Sequence, residues 1–340
     1  MNKEKLRLAI IGAGMISWES HLPAALGSPR VKVTAIIDPM VERADSMSRA
    51  YGIEVSTAKD ISEVLDQVDA VVIATPNDSH AAIAITSLSK GKAVLIEKPL
   101  AMSPGEGEAI KAAAEKSGAV LAVGYCTRFR NNIIYLKKLL DRGHFGKVRR
   151  FVTRFGSPGG WSPMSGYILT KDSAGGGVLV VTGTHFIDRM LHFWGMPDKV
   201  SMLDDGKGGP EANCHCTFEY DSGLRGGAIF SKTTALPGGT VIDTESGFIM
   251  IGEFDDSDII FRPHNAPDME EVINQKGKTP YPADADSFNM QMDDFVSACL
   301  DGHDPMVGCE EALQSLRLIE RLYACTEPLP EDWFAQEASA

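Results

Sequence analysis

The chain has 340 residues, 44% of them hydrophobic and 23% charged, an ordinary globular composition that speaks against disorder. At a soft prior of about 150 residues per domain, that length implies two domains. A formal net charge of −13 repels nucleic-acid backbones and anionic membrane surfaces, so neither is expected as a partner.

The opening stretch, MNKEKLRLAIIGAGM, carries charge and then a short apolar run ending in glycines. It lacks a signal h-region and a small-residue cleavage site, and no later stretch reaches about 18 apolar residues. A soluble, cytoplasmic protein is the expectation. Short β-branched runs then alternate with helical patterns, the grammar of a parallel α/β sheet. Strands are expected at Leu6–Ile11, Val31–Ile37, Ala70–Ala74, Ala93–Ile96 and Val120–Val123. Helices are expected at Val41–Tyr51, Ile61–Gln67, Asp78–Lys90 and Pro104–Ser117. Pro23 falls inside the first helical pattern, which must kink or restart there.

After about Gly124 the grammar changes. A helix over Asn132–Arg142 and a strand over Lys147–Phe155 precede a loop rich in Gly, Pro and Ser, Gly156–Gly166. Three glycines, Gly175–Gly177, open the next helix. Strands without intervening helices fill roughly Val200–Arg262, with turn signals at Asp221–Gly223 and Pro237–Gly239. Such a run implies an open, mostly antiparallel sheet with helices on one face. Helices near Ser287–Leu300 and Glu310–Cys325 close the chain. The fold class is therefore α/β, with one domain over residues 1–123 built on a parallel sheet and a second, of α+β type, over residues 124–340.

The six cysteines include no CxxC pair. Cys214 and Cys216 flank His215 in a strand-like run, so alternation places both thiols on one face and the imidazole on the other. Buried, reduced thiols are expected, and no metal site.

Chemistry concentrates first at Gly12-Ala13-Gly14-Met15-Ile16-Ser17, directly after the first strand and before a helix. This G-x-G-x-x-S is a variant dinucleotide fingerprint. Gly12 permits the tight turn, Gly14 lets backbone approach a pyrophosphate at the helix N-terminus, and Ser17 is small enough for close packing. Asp38 ends the second strand, where a carboxylate accepts from the adenosine ribose diol and repels a 2′-phosphate. NAD is therefore expected as cofactor, with NADP disfavoured. Gly12, Gly14, Met15, Ile16 and Asp38 are the expected contacts.

Three further motifs follow. Thr75-Pro76-Asn77-Asp78-Ser79-His80 comes after the Ala70–Ala74 strand, Glu97-Lys98-Pro99-Leu100 after Ala93–Ile96, and Gly175-Gly176-Gly177 leads to Gly183-Thr184-His185-Phe186-Ile187-Asp188. With the glycine turn and His21-Leu22-Pro23-Ala24, they resemble the Gfo/Idh/MocA oxidoreductase family over nearly the whole chain. The resemblance implies a Rossmann domain and a C-terminal domain whose open sheet serves homodimer or homotetramer assembly. It also implies that Thr75, Pro76, Asn77, His80 and Glu97 lie along the cofactor. By the same resemblance Lys98 reaches between nicotinamide ribose and substrate hydroxyl, and His185 transfers the proton. Tyr125, Arg128, Trp161 and Tyr167 become pocket wall.

The residues themselves agree. Lys98 sits at the carboxyl end of a strand, where open α/β sheets bind ligands, and a histidine titrates near neutrality, as a proton acceptor should. One departure stands out. Many relatives carry Asp four residues before the histidine, where this chain has Val181. The expected activity is hydride exchange between a nicotinamide and a carbinol or keto carbon of a sugar, sugar derivative or cyclitol. Two alternatives remain open, a non-catalytic cofactor-binding sensor and a glycosidase that uses bound NAD for transient oxidation.

Overall fold

A computed structural model describes residues 5–159, 166–252, 258–273 and 286–330. Two compact units emerge. One comprises Met1–Phe129, Pro163–Tyr167 and Asp284–Leu316, the other Arg130–Ser162, Ile168–Ala283 and Arg317–Ala340.

The first unit is built on six parallel strands: β1 (Leu6–Ile11), β2 (Val31–Ile37), β3 (Ser56–Ala58), β4 (Ala70–Ile73), β5 (Ala93–Ile96) and β6 (Leu121–Val123). Their order is β3-β2-β1-β4-β5-β6. Every residue of β4 and β5 is buried, as a parallel sheet covered on both faces requires. The order reverses between β1 and β4, so the crevice at their carboxyl ends is where such a sheet binds its ligand.

Local signals act as their chemistry dictates. Ser103 accepts the Glu106 N–H, Pro104 occupies the first turn, and Gly118 at φ +68° ends the helix Pro104–Ser117. Pro23 forces the expected accommodation. A π-turn over Ser17–His21 hands over to the α-helix Leu22–Gly27, with Pro23 in its first turn where no N–H is needed. The expected helix at Ile61–Gln67 is instead two 3₁₀ turns, Ile61–Glu63 and Leu65–Gln67. Asp60 and Glu63 form a tight capping box, and Val64 at φ −128° breaks the helix between the turns.

The core of this unit combines Leu8, Ile10, Ile36, Val72 and Leu95 with Met292, Phe295 and Val296 of the helix Ser287–Asp301. That helix was expected within residues 124–340. Its apolar face packs with the first unit, so the partition is not a single cut in the chain.

Among the described residues the second unit holds nine strands: β7 (Val148–Gly156), β8 (Lys199–Asp204), β9 (Asn213–Glu219), β10 (Arg225–Ser231), β11 (Leu236–Thr244), β12 (Gly247–Ile251), β13 (Ile259–Pro263), β14 (Glu271–Ile273) and β15 (Thr326–Pro328). They run in the order β14-β13-β12-β11-β7-β10-β9-β8-β15, antiparallel except for β7–β10 and β8–β15. The turn expected at Pro237–Gly239 is absent. β11 runs through it with a register shift between Leu236 and Gly239, and Gly239 at φ +142° supplies the backbone for that irregularity. The helix Thr184–Trp194 buries Phe186, Ile187, Met190 and Leu191 in a core with Phe218, Phe230, Ile242 and Ile249. Cys214 and Cys216 point into that core as free thiols.

Candidate functional site

The turn after β1 is held from both sides of the sheet's crossing point. Gly12 adopts φ +97°, and a Cβ there would lie 2.4 Å from the Ala74 carbonyl oxygen, so the neighbouring strand excludes any side chain. Its N–H donates to the Ile37 carbonyl at 2.7 Å. Gly14 is different: an added Cβ would meet nothing within 4 Å, leaving that face of the turn open to a ligand. The buried Ser17 hydroxyl donates to the Gly12 carbonyl at 2.6 Å. Serine at the third position therefore closes the turn, beyond merely being small. Met15 and Ile16, at the helix start, are half-buried.

Asp38 is 7% exposed. One carboxylate oxygen accepts the Ala13 N–H at 2.9 Å and the other the Met40 N–H at 2.9 Å. Each oxygen retains a lone pair for a further donor. A glycine turn open at Gly14, a helix N-terminus and a carboxylate ending β2 fit the pyrophosphate and adenosine ribose of a nicotinamide dinucleotide.

Two loops line the next stretch. Thr75 is half-buried, Pro76 exposed and Asn77 buried. His80, expected along the cofactor, is fully buried, with Nδ1 2.9 Å from the Pro99 carbonyl and Nε2 3.0 Å from that of Thr75. Its ring spans the loops after β4 and β5 and does not present an edge to a ligand. Burial drives the imidazole pKa below its ordinary value, against the two carbonyls, which favour the doubly protonated ring.

Glu97, also expected beside the cofactor, lies buried against a residue that the sequence did not single out. His21 Nε2 is 2.7 Å from one Glu97 oxygen, and the other accepts the Lys98 backbone N–H at 3.1 Å. Burial pushes the Glu97 carboxyl up, but the His21 bond and the charges of His21 and Lys98 outweigh it and hold the group below its usual range. His21 belongs to the run His21-Leu22-Pro23-Ala24, and its place before a proline-bearing helix is the one local signal for it. Lys98 is half-buried, and desolvation draws its ammonium pKa down against the negative charge of Glu97.

Of the expected pocket wall, Tyr125 is fully buried and Arg128 is 5% exposed. Tyr167 is half-buried near Glu97, its phenol pushed up to about 12 by burial and by that carboxylate's charge. Trp161 lies outside the described residues.

In the second unit, the three glycines are explained by a buried clamp. Gly175 takes φ +83°. A Cβ at Gly176 would stand 2.1 Å from the Tyr323 hydroxyl, and one at Gly177 would stand 2.0 Å from the Glu211 carbonyl oxygen. The Glu211 carboxylate accepts the N–H groups of Gly177 at 2.9 Å and Leu179 at 2.8 Å, and its backbone carbonyl accepts that of Val178 at 2.8 Å. The Tyr323 hydroxyl donates to the same carboxylate at 3.0 Å. Burial raises the Glu211 pKa against those donors. The N-terminus so capped continues through a π-turn, Leu179–Gly183, into Thr184–Trp194. Val181 and His185 are both half-buried on this segment, and Asp188 is fully buried one turn on. Sequence reasoning missed Glu211 and Tyr323, since neither lies near the glycines in the chain.

Comparison with known proteins matches residues 6–125 to the oxidoreductase family with an NAD-binding Rossmann fold and residues 133–249 to the GFO/IDH/MocA C-terminal domain. The chain is 29% identical over 229 residues to a D-glucoside 3-dehydrogenase of Escherichia coli (strain K12), covering 65% of this chain and 64% of that protein. It is 31% identical over 147 residues to a scyllo-inositol 2-dehydrogenase (NAD(+)) of Bacillus subtilis (strain 168), covering 43% of each. The matched region thus spans less than two thirds of these relatives. A 3-ketoreductase from Actinomadura kijaniata, solved with NADP and TDP-benzene, superposes with a TM-score of 0.83 at 22% identity, covering 96% of this chain and 99% of that one.

Proposed function

Because this chain belongs to the Gfo/Idh/MocA oxidoreductase family, we propose that it is a nicotinamide-dependent dehydrogenase or reductase acting on a hydroxyl or keto carbon of a sugar, sugar derivative or cyclitol. The relatives named for a D-glucoside and for scyllo-inositol support that substrate class. The observation that carries the reading is Lys98, set at the carboxyl end of β5 with a buried glutamate behind it.

A bound nicotinamide dinucleotide supplies the hydride chemistry. Lys98 Nζ donates to the substrate oxygen and offsets the negative charge that develops on it. The His185 imidazole accepts the hydroxyl proton in oxidation and returns it in reduction. Val181, four residues before His185 on the same segment, is an apolar side chain that suits a substrate presenting an apolar or acylated group at that point. Asp38 favours NAD over NADP, because a 2′-phosphate would meet its negative charge. Assembly as a homodimer or homotetramer is supported by the uncovered sheet face, where Val241 pairs with Val152 and both are exposed. A cytoplasmic setting accords with six free cysteines.

Screening polyols, free sugars and nucleotide sugars for optical reduction of NAD tests this reading, and turnover of at least one class is expected. Tight nucleotide binding with no turnover would make the chain a sensor. Turnover without net nicotinamide reduction would make it a glycosidase.

A further inference from the structure

His21 is 1% exposed and closes the π-turn that follows the glycine turn. Its ring stands edge-on to Phe288, at 5.4 Å and 90°, so an apolar neighbour fixes its plane. Nε2 meets Glu97 at 2.7 Å, and the opposite Glu97 oxygen holds the Lys98 backbone N–H. Behind the carboxylate, Gly124 comes so close that a Cβ there would lie 3.1 Å from it. The glycine leaves room for the carboxylate, which meets His21 with one oxygen and the Lys98 N–H with the other.

We propose that His21 is a positioning residue for Lys98, acting through Glu97: it holds Glu97 as a carboxylate, and that carboxylate holds the charge on the lysine. This rests on the reading of Lys98 as the group that meets substrate oxygen. The physical reason is desolvation. A buried carboxyl without a donor takes up a proton. Neutral Glu97 would then leave the half-buried ammonium of Lys98 with less to oppose its own desolvation. The other groups facing the pair are fixed. His80 and Tyr167 both feel Glu97, and Cys126 lies near Lys98. Only His21 bonds the carboxylate through a side chain among the described residues.

The test follows Lys98 itself. Full-length wild type, His21→Leu, His21→Gln and Glu97→Gln are labelled with trinitrobenzenesulfonate across a pH series, and the Lys98 peptide is quantified by mass spectrometry. Thermal melting checks folding. In His21→Leu and in Glu97→Gln the labelling midpoint is expected to fall by about one pH unit or more, the scale of losing a nearby opposite charge. In His21→Gln, whose amide N–H can still donate, it is expected to stay near the wild-type value. Combining His21→Leu with Glu97→Gln is expected to add nothing. An unchanged midpoint in folded His21→Leu overturns the inference, as does an additive fall in the double variant. If His21→Leu fails to fold, a Glu97→Gln midpoint equal to wild type overturns it equally. The labelling needs no substrate, so its result is separate from the functional reading, which fails instead if Lys98→Ala retains full turnover.

Discussion

The Ala13 N–H donates to Asp38 at 2.9 Å, which ties the ligand-facing turn to the end of the second strand through a single carboxylate. One residue therefore shapes the turn and stands where the proposed preference for NAD would be set. We predict that Asp38→Asn, which keeps an acceptor for the Ala13 N–H but gives up the one for Met40, narrows the preference for NAD at a smaller cost in stability than Asp38→Ala. Asp38→Ala should both narrow it and lower the melting temperature, since a buried N–H left unpaired costs about 1–3 kcal/mol. Kinetics with both nucleotides decide the matter; a wild type that uses NADP tenfold better than NAD would refute the role given to Asp38.

Gly12→Ala is expected to abolish nucleotide binding. The positive φ alone costs about 1–3 kcal/mol for a residue with a side chain, and the 2.4 Å approach to the Ala74 carbonyl forces β1 and β4 apart at the crevice. Gly14→Ala meets no protein atom and should leave stability intact while weakening nucleotide affinity. Titration calorimetry beside thermal melting separates the two. Equal effects of both substitutions on melting would show that Gly14 is not the open side of the turn.

Lys98→Ala and His185→Ala should each reduce turnover by about 10²–10⁴, the usual cost of removing a proton-handling group, with nucleotide affinity nearly unchanged. Near-wild-type rates in either variant, on a substrate found by the screen, would remove that residue from the chemistry.

Glu211→Ala should destabilise the second unit. It strips the acceptor from the N–H groups of Gly177 and Leu179 and from the Tyr323 hydroxyl, and unpaired buried donors cost about 1–3 kcal/mol apiece. Tyr323→Phe removes one donor only and should cost less. Urea midpoints rank the pair, and the reverse order would contradict the clamp.

Val181→Asp is expected to move the acidic limb of the pH–rate profile upward, since a nearby negative charge favours protonated imidazole. It should also impair the native substrate. If profile and substrate preference both stayed as in wild type, Val181 would not face the chemistry of His185.

Five of the six parallel strands were legible because they are short, β-branched and punctuated by glycine, whereas β3, the three residues Ser56–Ala58, carries no such pattern. Asp38 and Lys98 stood out for a related reason: both follow strands at their carboxyl ends, where sheets of this topology bind ligands. What escaped was whatever depends on contact between distant segments. Glu211 lies 34 residues from the Gly177 N–H it accepts, and nothing in its own neighbourhood marks a cap. His80 and Glu97 were read by motif as neighbours of a ligand, yet their polar atoms face inward, to carbonyls and to His21. At Ile61–Gln67, the capping box of Asp60 and Glu63 competed successfully with a continuous helix.

The helix Ser287–Asp301 completes the core under β1, β2, β4 and β5. During synthesis the ribosome emits the six strands of that sheet long before this helix, with most of the second unit in between. Until Met292, Phe295 and Val296 emerge, the surface they cover stays exposed to water and to other nascent chains. The core of the nucleotide-binding half is thus complete only once Ser287–Asp301 has been made, and until then chaperones have exposed apolar surface to bind. A fragment ending at Phe129 should accordingly aggregate where the whole chain does not.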